Sequence, residues 1–400
     1  MIEPFFKFGS IAYLISIIAL LFFDATSNLS DLKIVGWAHL FLLSFVMMTI
    51  FGAMAQLVPV ALEIGHYKVD LYKPIFYTLS IGSIVMVLGF WFKMSLLPVG
   101  GVLVFISMGL FLYETFKTLA KTDTKTLTAR SVKAGNIFLT LAIAIGLLMA
   151  LSLSFGLSIN FNKFLPIHIV LVLIGYVTIT VIGMSMILLP MFGLAHGYSD
   201  KDVELAFKII TISVVLFSIF RLFNLNLLAT FTIITMAGGI GLYLRQLITL
   251  YKIRARKIND IWYMHIYTAF ISLAVATMFA IFWVLLNSEI ALKVAIWIFL
   301  IGFFVFVING HLIKIIPFLV WFERFSPLVG KKKVPMLHEM LPNKDIDISF
   351  WLSLAGLFCG SFGLLLSSNT IFKGGVSLLI FGALFMLKTV IYVLKFKPED

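Results

Sequence analysis

Long apolar stretches alternate with short polar breaks along the 400-residue chain. The apolar runs fall near 8–23, 34–62, 74–92, 95–115, 134–158, 165–192, 205–221, 226–250, 262–286, 292–321, 348–368 and 374–395. They are continuous rather than alternating, which argues for helices and against the short period-two segments of a membrane barrel. Most approach or exceed the roughly 20 residues that a helix needs to cross a hydrocarbon core. A backbone in lipid must satisfy its own hydrogen bonds, and a helix does so within one segment. The pattern therefore predicts an all-α, polytopic membrane protein of about twelve transmembrane helices.

Composition points the same way. Hydrophobic residues make up 62% of the chain and charged residues 12%, too little polar surface to coat a soluble core. The first run lacks a small-residue cleavage site and is expected to persist as the first helix. The single cysteine, Cys359, lies in an apolar run, which excludes disulfides and thiolate metal clusters.

A net charge of +12 would suit nucleic acid, but its distribution says otherwise. With the N-terminus inside, the inner loops and tails hold 22 lysines and arginines and the outer loops hold six: Lys33, Lys93, Lys163, Arg221, Lys293 and Lys373. This asymmetry follows the positive-inside rule. It predicts cytoplasmic N- and C-termini, a lipid bilayer as the partner, and no role with nucleic acid.

The chain also resembles itself. Gly52 and Pro59 in the second run, Gly183 and Pro190 in the sixth, and Gly310 and Pro317 in the tenth are each seven residues apart. Each pair lies in the second helix of a four-helix block, which divides one transmembrane domain (1–400) into repeats near 1–125, 126–257 and 258–400. An even number of helices per repeat makes the repeats parallel, so three arcs around a pseudo-threefold axis are expected. In each pair the proline frees a backbone carbonyl one turn back, and the glycine, two turns earlier on the same face, admits a close neighbour.

Histidines are the candidate chemistry, because imidazole ligates iron or copper and is costly to bury otherwise. His39 and His168 stand at the outer ends of the second and sixth helices, 20 and 22 residues before the repeat proline. The corresponding zone of the third repeat, Ala295-Ile296-Trp297, has none. His311 lies in the tenth helix, six residues before Pro317, and is read as the deepest. His265, among Trp262, Tyr263 and Tyr267, reads as part of an aromatic belt. His66, His196 and His338 read as loop residues. Gln56, Asn309 and Lys314 are buried polar candidates, with Lys314 expected to snorkel, and Glu63 and Glu114 read as boundary charges.

The segment Gly36-Trp37-Ala38-His39-Leu40-Phe41-Leu42-Leu43, followed by Gly52 and Pro59, resembles helix two of the catalytic subunit I of haem-copper oxidases. There a histidine near the outer end ligates the low-spin haem. His168–Pro190 has the same grammar, and twelve helices in three arcs of four match that family's plan. The likeness is closest to small, single-chain subunit-I-like proteins. It implies haem and copper as cofactors, with His39, His168 and His311 binding cofactor and His39 and His168 as metal ligands. Bis-histidine ligation by His39 and His168 from adjacent arcs is conceivable. The chain departs from the family where oxygen is reduced. No histidine occurs in the seventh helix, and the tenth has only His311, toward the wrong end. A three-histidine copper site is not expected, nor is complete oxidase activity.

The resulting expectation is a haem- and/or copper-binding protein of the bacterial inner membrane, linked to respiratory electron transfer or nitric oxide metabolism. If it is an enzyme, it is an oxidoreductase of the cytochrome c or quinol oxidase type. Its partners would be other respiratory-complex subunits or a cytochrome. The alternatives are a transporter for a small solute or metal, using Gln56, Asn309, His311 and Lys314, or an accessory protein of respiratory complexes that touches a partner or anionic lipid through Lys331, Lys332 and Lys333.

Overall fold

The chain is an all-α polytopic membrane protein. A computed structural model describes residues 2–397, and every regular element among them is helical. Twelve helices are long and apolar enough to span a bilayer. They are α1 (Glu3–Phe22), α2 (Leu32–Leu62), α3 (Val69–Trp91), α4 (Met94–Leu119), α5 (Leu127–Phe155) and α6 (Phe161–Gly193), then α7 (Lys201–Leu222), α8 (Asn226–Ile253), α9 (Ile261–Leu286), α10 (Glu289–Arg324), α11 (Asn343–Leu365) and α12 (Asn369–Leu394). The first helix starts at Glu3, earlier than its apolar run. Pro4 fits the first turn, where its missing N–H is no loss, and Glu3 is there to meet the positive end of the helix dipole.

The second helix of each block carries a stretch of π-helix: Leu40–Met47 in α2, Leu171–Thr178 in α6 and Ile298–Phe304 in α10. Each begins nineteen residues before the block's proline (Leu40 and Pro59, Leu171 and Pro190, Ile298 and Pro317). Fifteen residues before the proline stands a small residue, Ser44, Gly175 or Gly302, and seven before it stands glycine. The glycines explain their spacing. A Cβ on Gly52 would meet Phe5 Cβ of α1 at 2.8 Å, and one on Gly310 would meet His265 Cβ of α9 at 3.0 Å. A Cβ on Gly183 would collide with Ser131 of α5. Seven residues along α5 and α9, Phe138 and Ser272 press on Gly175 and Gly302 in turn. The first helix of each block thus lies directly on the backbone of the second.

The ends of α2 and α6 also correspond. Glu63 (φ 54°) and Leu194 (φ 51°) are left-handed, each four residues past its proline. The next N–H, of Ile64 or Ala195, closes onto the proline carbonyl at 3.0 Å. The third block differs: α10 continues to Arg324.

The third and fourth helices of each block, α3 with α4, α7 with α8 and α11 with α12, pack as hairpins. Lipid tails are as apolar as leucine, so backbone approach rather than hydrophobic drive holds such pairs. In α3–α4, a Cβ on Gly100 would lie 2.5 Å from Met86 N.

Contacts divide the chain into two compact units, Met1–Met54 with Asn259–Asp400, and Ala55–Ile258. One division falls beside the expected repeat boundary at 257/258. The other falls inside α2 rather than near 125, so the compact units are not the sequence blocks.

Candidate functional site

In all three histidines expected to hold a cofactor, Nδ1 faces a backbone carbonyl, of the histidine's own helix for His39 and His311 and of a neighbouring helix for His168. His39 Nδ1 lies 2.8 Å from Val35 O, one turn back in α2. His311 Nδ1 lies 2.6 Å from Val307 O in α10. His168 Nδ1 lies 2.9 Å from Ala142 O of α5. A carbonyl oxygen only accepts, so each Nδ1 carries a hydrogen, and in the neutral ring that leaves the lone pair on Nε2. His39 immediately precedes the π stretch of α2, and His168 comes three residues before that of α6. In α10 the residue immediately before the stretch is Trp297, whose Nε1 donates to Leu357 O at 3.3 Å. His39 and His311 belong to the first unit and His168 to the second.

Burial orders the histidines differently from the sequence. His311 is half-buried, edge-on to Trp262 with ring centroids 6.4 Å apart. His265 is sealed, 2% exposed, between Phe306 and Phe350. Trp262 and Tyr263 are buried as well, so this segment packs inward rather than forming a belt. Among the described residues, no three His, Cys, Asp or Glu side chains gather as metal ligands. A small cleft, with room for no more than about one water molecule, lies against Leu312, Ile316 and Pro317 of α10 and Thr389 of α12. It is apolar and contains none of the three candidates.

The prolines show where the chain places polar side chains. Pro59 lacks the N–H that Ala55 O would accept in a regular helix, and His66 Nε2 approaches that oxygen at 2.6 Å. Pro190 likewise frees Met186 O, and the Tyr198 hydroxyl donates to it at 3.4 Å.

His66 is the outer member of a denser cluster in the second unit. Its Nδ1 lies 2.9 Å from Glu114 Oε1. Thr118 Oγ1 donates to the same oxygen at 2.8 Å, and Tyr72 Oη donates to Oε2 at 3.1 Å. Glu114 is 1% exposed and is the only buried acid among the described residues. An unpaired buried carboxylate would cost several kcal/mol, and here both of its oxygens have donors. The loop is held in place: Tyr67 N donates to Thr118 Oγ1 at 2.9 Å, and Lys121 Nζ donates to His66 O at 2.6 Å.

Glu114 is therefore not the boundary charge that its position at the end of a run suggested, nor is His66 an idle loop residue. The available signal was the offset of His66, seven residues past a proline that strands a carbonyl. In the first unit, Lys314 does not snorkel alone. It pairs with Asp260 at 3.0 Å, with its ammonium 5.7 Å from the centre of the Trp262 ring. Gln56 Oε1 and Asn309 Oδ1 are buried with no hydrogen-bond partner.

No protein-family model matches the sequence, and no curated protein matches it.

Proposed function

We propose that this chain binds haem and/or copper, as a subunit-I-like member of the haem-copper oxidase superfamily without a complete oxygen-reducing site. The observation that carries the reading is the state of His39. It stands in the Gly36-Trp37-Ala38-His39 segment that resembles the haem-bearing helix of that family, and its Nδ1 hydrogen is committed to Val35 O. Metal-ligating histidines commonly donate their second nitrogen to a carbonyl in this way, which turns a neutral Nε2 lone pair toward the metal. His168 and His311 carry the same polarity. Bound haem would supply one-electron chemistry, and the residues here would bind and orient it.

The lysine and arginine asymmetry supports an inner-membrane location with both termini in the cytoplasm. A role in respiratory electron transfer or nitric oxide metabolism, beside a cytochrome or another respiratory subunit, follows from the same resemblance. The test is the reduced-minus-oxidised optical spectrum of detergent-purified protein, with metal analysis. A haem spectrum that His39→Ala abolishes supports the reading. Protein with no Soret band and no bound metal ends it.

A second reading, transport of a small solute or metal, draws on the unpartnered Gln56 Oε1 and Asn309 Oδ1. Flux into proteoliposomes that falls in Gln56→Leu and Asn309→Leu would favour it.

A further inference from the structure

We propose that Glu114 and His66 form a proton-exchange site in the second unit, with Glu114 as the buried proton acceptor and His66 as the group that connects it to water. The proposal is independent of haem binding.

Both ring nitrogens of His66 face acceptors. Nε2 lies 2.6 Å from Ala55 O, a carbonyl that can only accept. Nε2 therefore carries a hydrogen. Nδ1, 2.9 Å from Glu114 Oε1, either donates as part of an imidazolium or accepts from a protonated carboxyl. In both descriptions one proton lies between Nδ1 and Oε1.

Exposure is graded across the cluster. The His66 side chain is 16% exposed and that of Glu114 is 2%. Tyr72 is 2% exposed and Thr118 is fully buried. The neighbours of His66 in the loop, Gly65 and Tyr67, are exposed. The imidazole is thus the most exposed of the three groups that touch the carboxylate.

Uptake of one proton converts the imidazolium–carboxylate pair into imidazolium and neutral carboxyl. The Nδ1 hydrogen passes to the carboxylate, the carboxyl turns its O–H toward Tyr72, whose Oη changes from donor to acceptor, and water returns a proton to Nδ1. The tyrosine's own hydrogen then points away from Glu114. Loss of the proton reverses each step, and no other reactant is needed.

The remaining charged and titratable groups nearby do not compete for the carboxylate. Lys121 Nζ is held by Gly65 O and His66 O at 3.2 and 2.6 Å. Lys117 lies 5.9 Å from the centre of the exposed Tyr113 ring, and Tyr113 meets Tyr67 hydroxyl to hydroxyl at 3.3 Å. Tyr176 of α6 lies within electrostatic reach of Tyr72 and is 1% exposed, with its hydroxyl unpartnered.

A purely structural ion pair would also titrate but would not need His66 for exchange, and infrared spectroscopy of the purified full-length protein separates the two. The expected result is a carboxyl C=O band that grows as pH falls, moves in deuterated water and is missing in Glu114→Gln. In His66→Gln the band should remain while its hydrogen–deuterium exchange slows by about a hundredfold, the lower end of the range for losing a proton-transfer group. The proposal is overturned if Glu114→Gln leaves the titrating bands unchanged, or if His66→Gln exchanges as fast as the parent. Should Glu114→Gln fail to assemble, Glu114→Asp supplies the assignment: a band at an unaltered position overturns the proposal.

Discussion

His66 Nε2 stands 2.6 Å from the carbonyl oxygen of Ala55, the acceptor that Pro59 deprives of its helical partner. A helix defect and the side chain that repairs it are thus eleven residues apart. The repair also brings the imidazole to Glu114, so one residue serves the end of α2 and the carboxylate of α4.

Removing the repair should show the link. His66→Ala strands a buried carbonyl and takes a donor from Glu114, and each loss is worth about 1–3 kcal/mol. Thermal unfolding in detergent should register the drop. Pro59→Ala restores an N–H for Ala55 O, so it should recover more stability in the His66→Ala background than in the parent. Equal effects in both backgrounds would show that the two positions are uncoupled.

The glycines seven residues before the repeat prolines should tolerate nothing larger. Gly183→Leu and Gly52→Leu drive a side chain into Ser131 and Phe5 respectively. Overpacking of this kind costs about 1–3 kcal/mol or more. Gly109 in α4 has nothing within 4 Å of its Cβ position. Gly109→Ala should therefore be neutral or stabilising by up to about 1 kcal/mol. Yields of monodisperse protein and melting temperatures check both.

Leu194 holds a left-handed backbone at φ 51° without being glycine. That conformation costs an L residue about 1–2 kcal/mol. A β-branched residue fits it worst, so Leu194→Val should lower the melting temperature, while Leu194→Gly should match or exceed the parent. The same ordering is expected at Glu63 (φ 54°).

Lys314 and Asp260 are 22% and 25% exposed at their side chains, so solvent screens much of their attraction. A double-mutant cycle with Lys314→Met and Asp260→Asn should give a coupling of about 1 kcal/mol or less. A coupling of several kcal/mol would mean that the pair is far drier than its exposure indicates.

The twelve spans and the glycine–proline spacing were legible because each is written in consecutive residues of one helix. The π stretches were not. Leu40–Met47 reads as an ordinary apolar run, and its only local mark is the small residue fifteen before the proline, whose meaning depends on a partner helix. Glu114 was misplaced for a similar reason. Its donors His66 and Tyr72 lie 48 and 42 residues away in sequence, and periodicity within α4 says nothing about them. Sequence marked His39, His168, His265 and His311 as polar groups in apolar helices but could not rank them. Whether a ring such as that of His265 is sealed depends on Phe306 and Phe350, from two other helices.

The first unit joins α1 and the start of α2 to α9, α10, α11 and α12. Ala25 N donates to Asn369 Oδ1 across 344 positions, and Asp24 pairs with Lys373 at 2.9 Å. During synthesis α1 and the start of α2 therefore enter the bilayer long before α12 exists to cover them. The second unit, whose residues are contiguous, can assemble in that interval. Biogenesis should then be most vulnerable while α1 and the start of α2 wait with a bare flank for α12 to be translated.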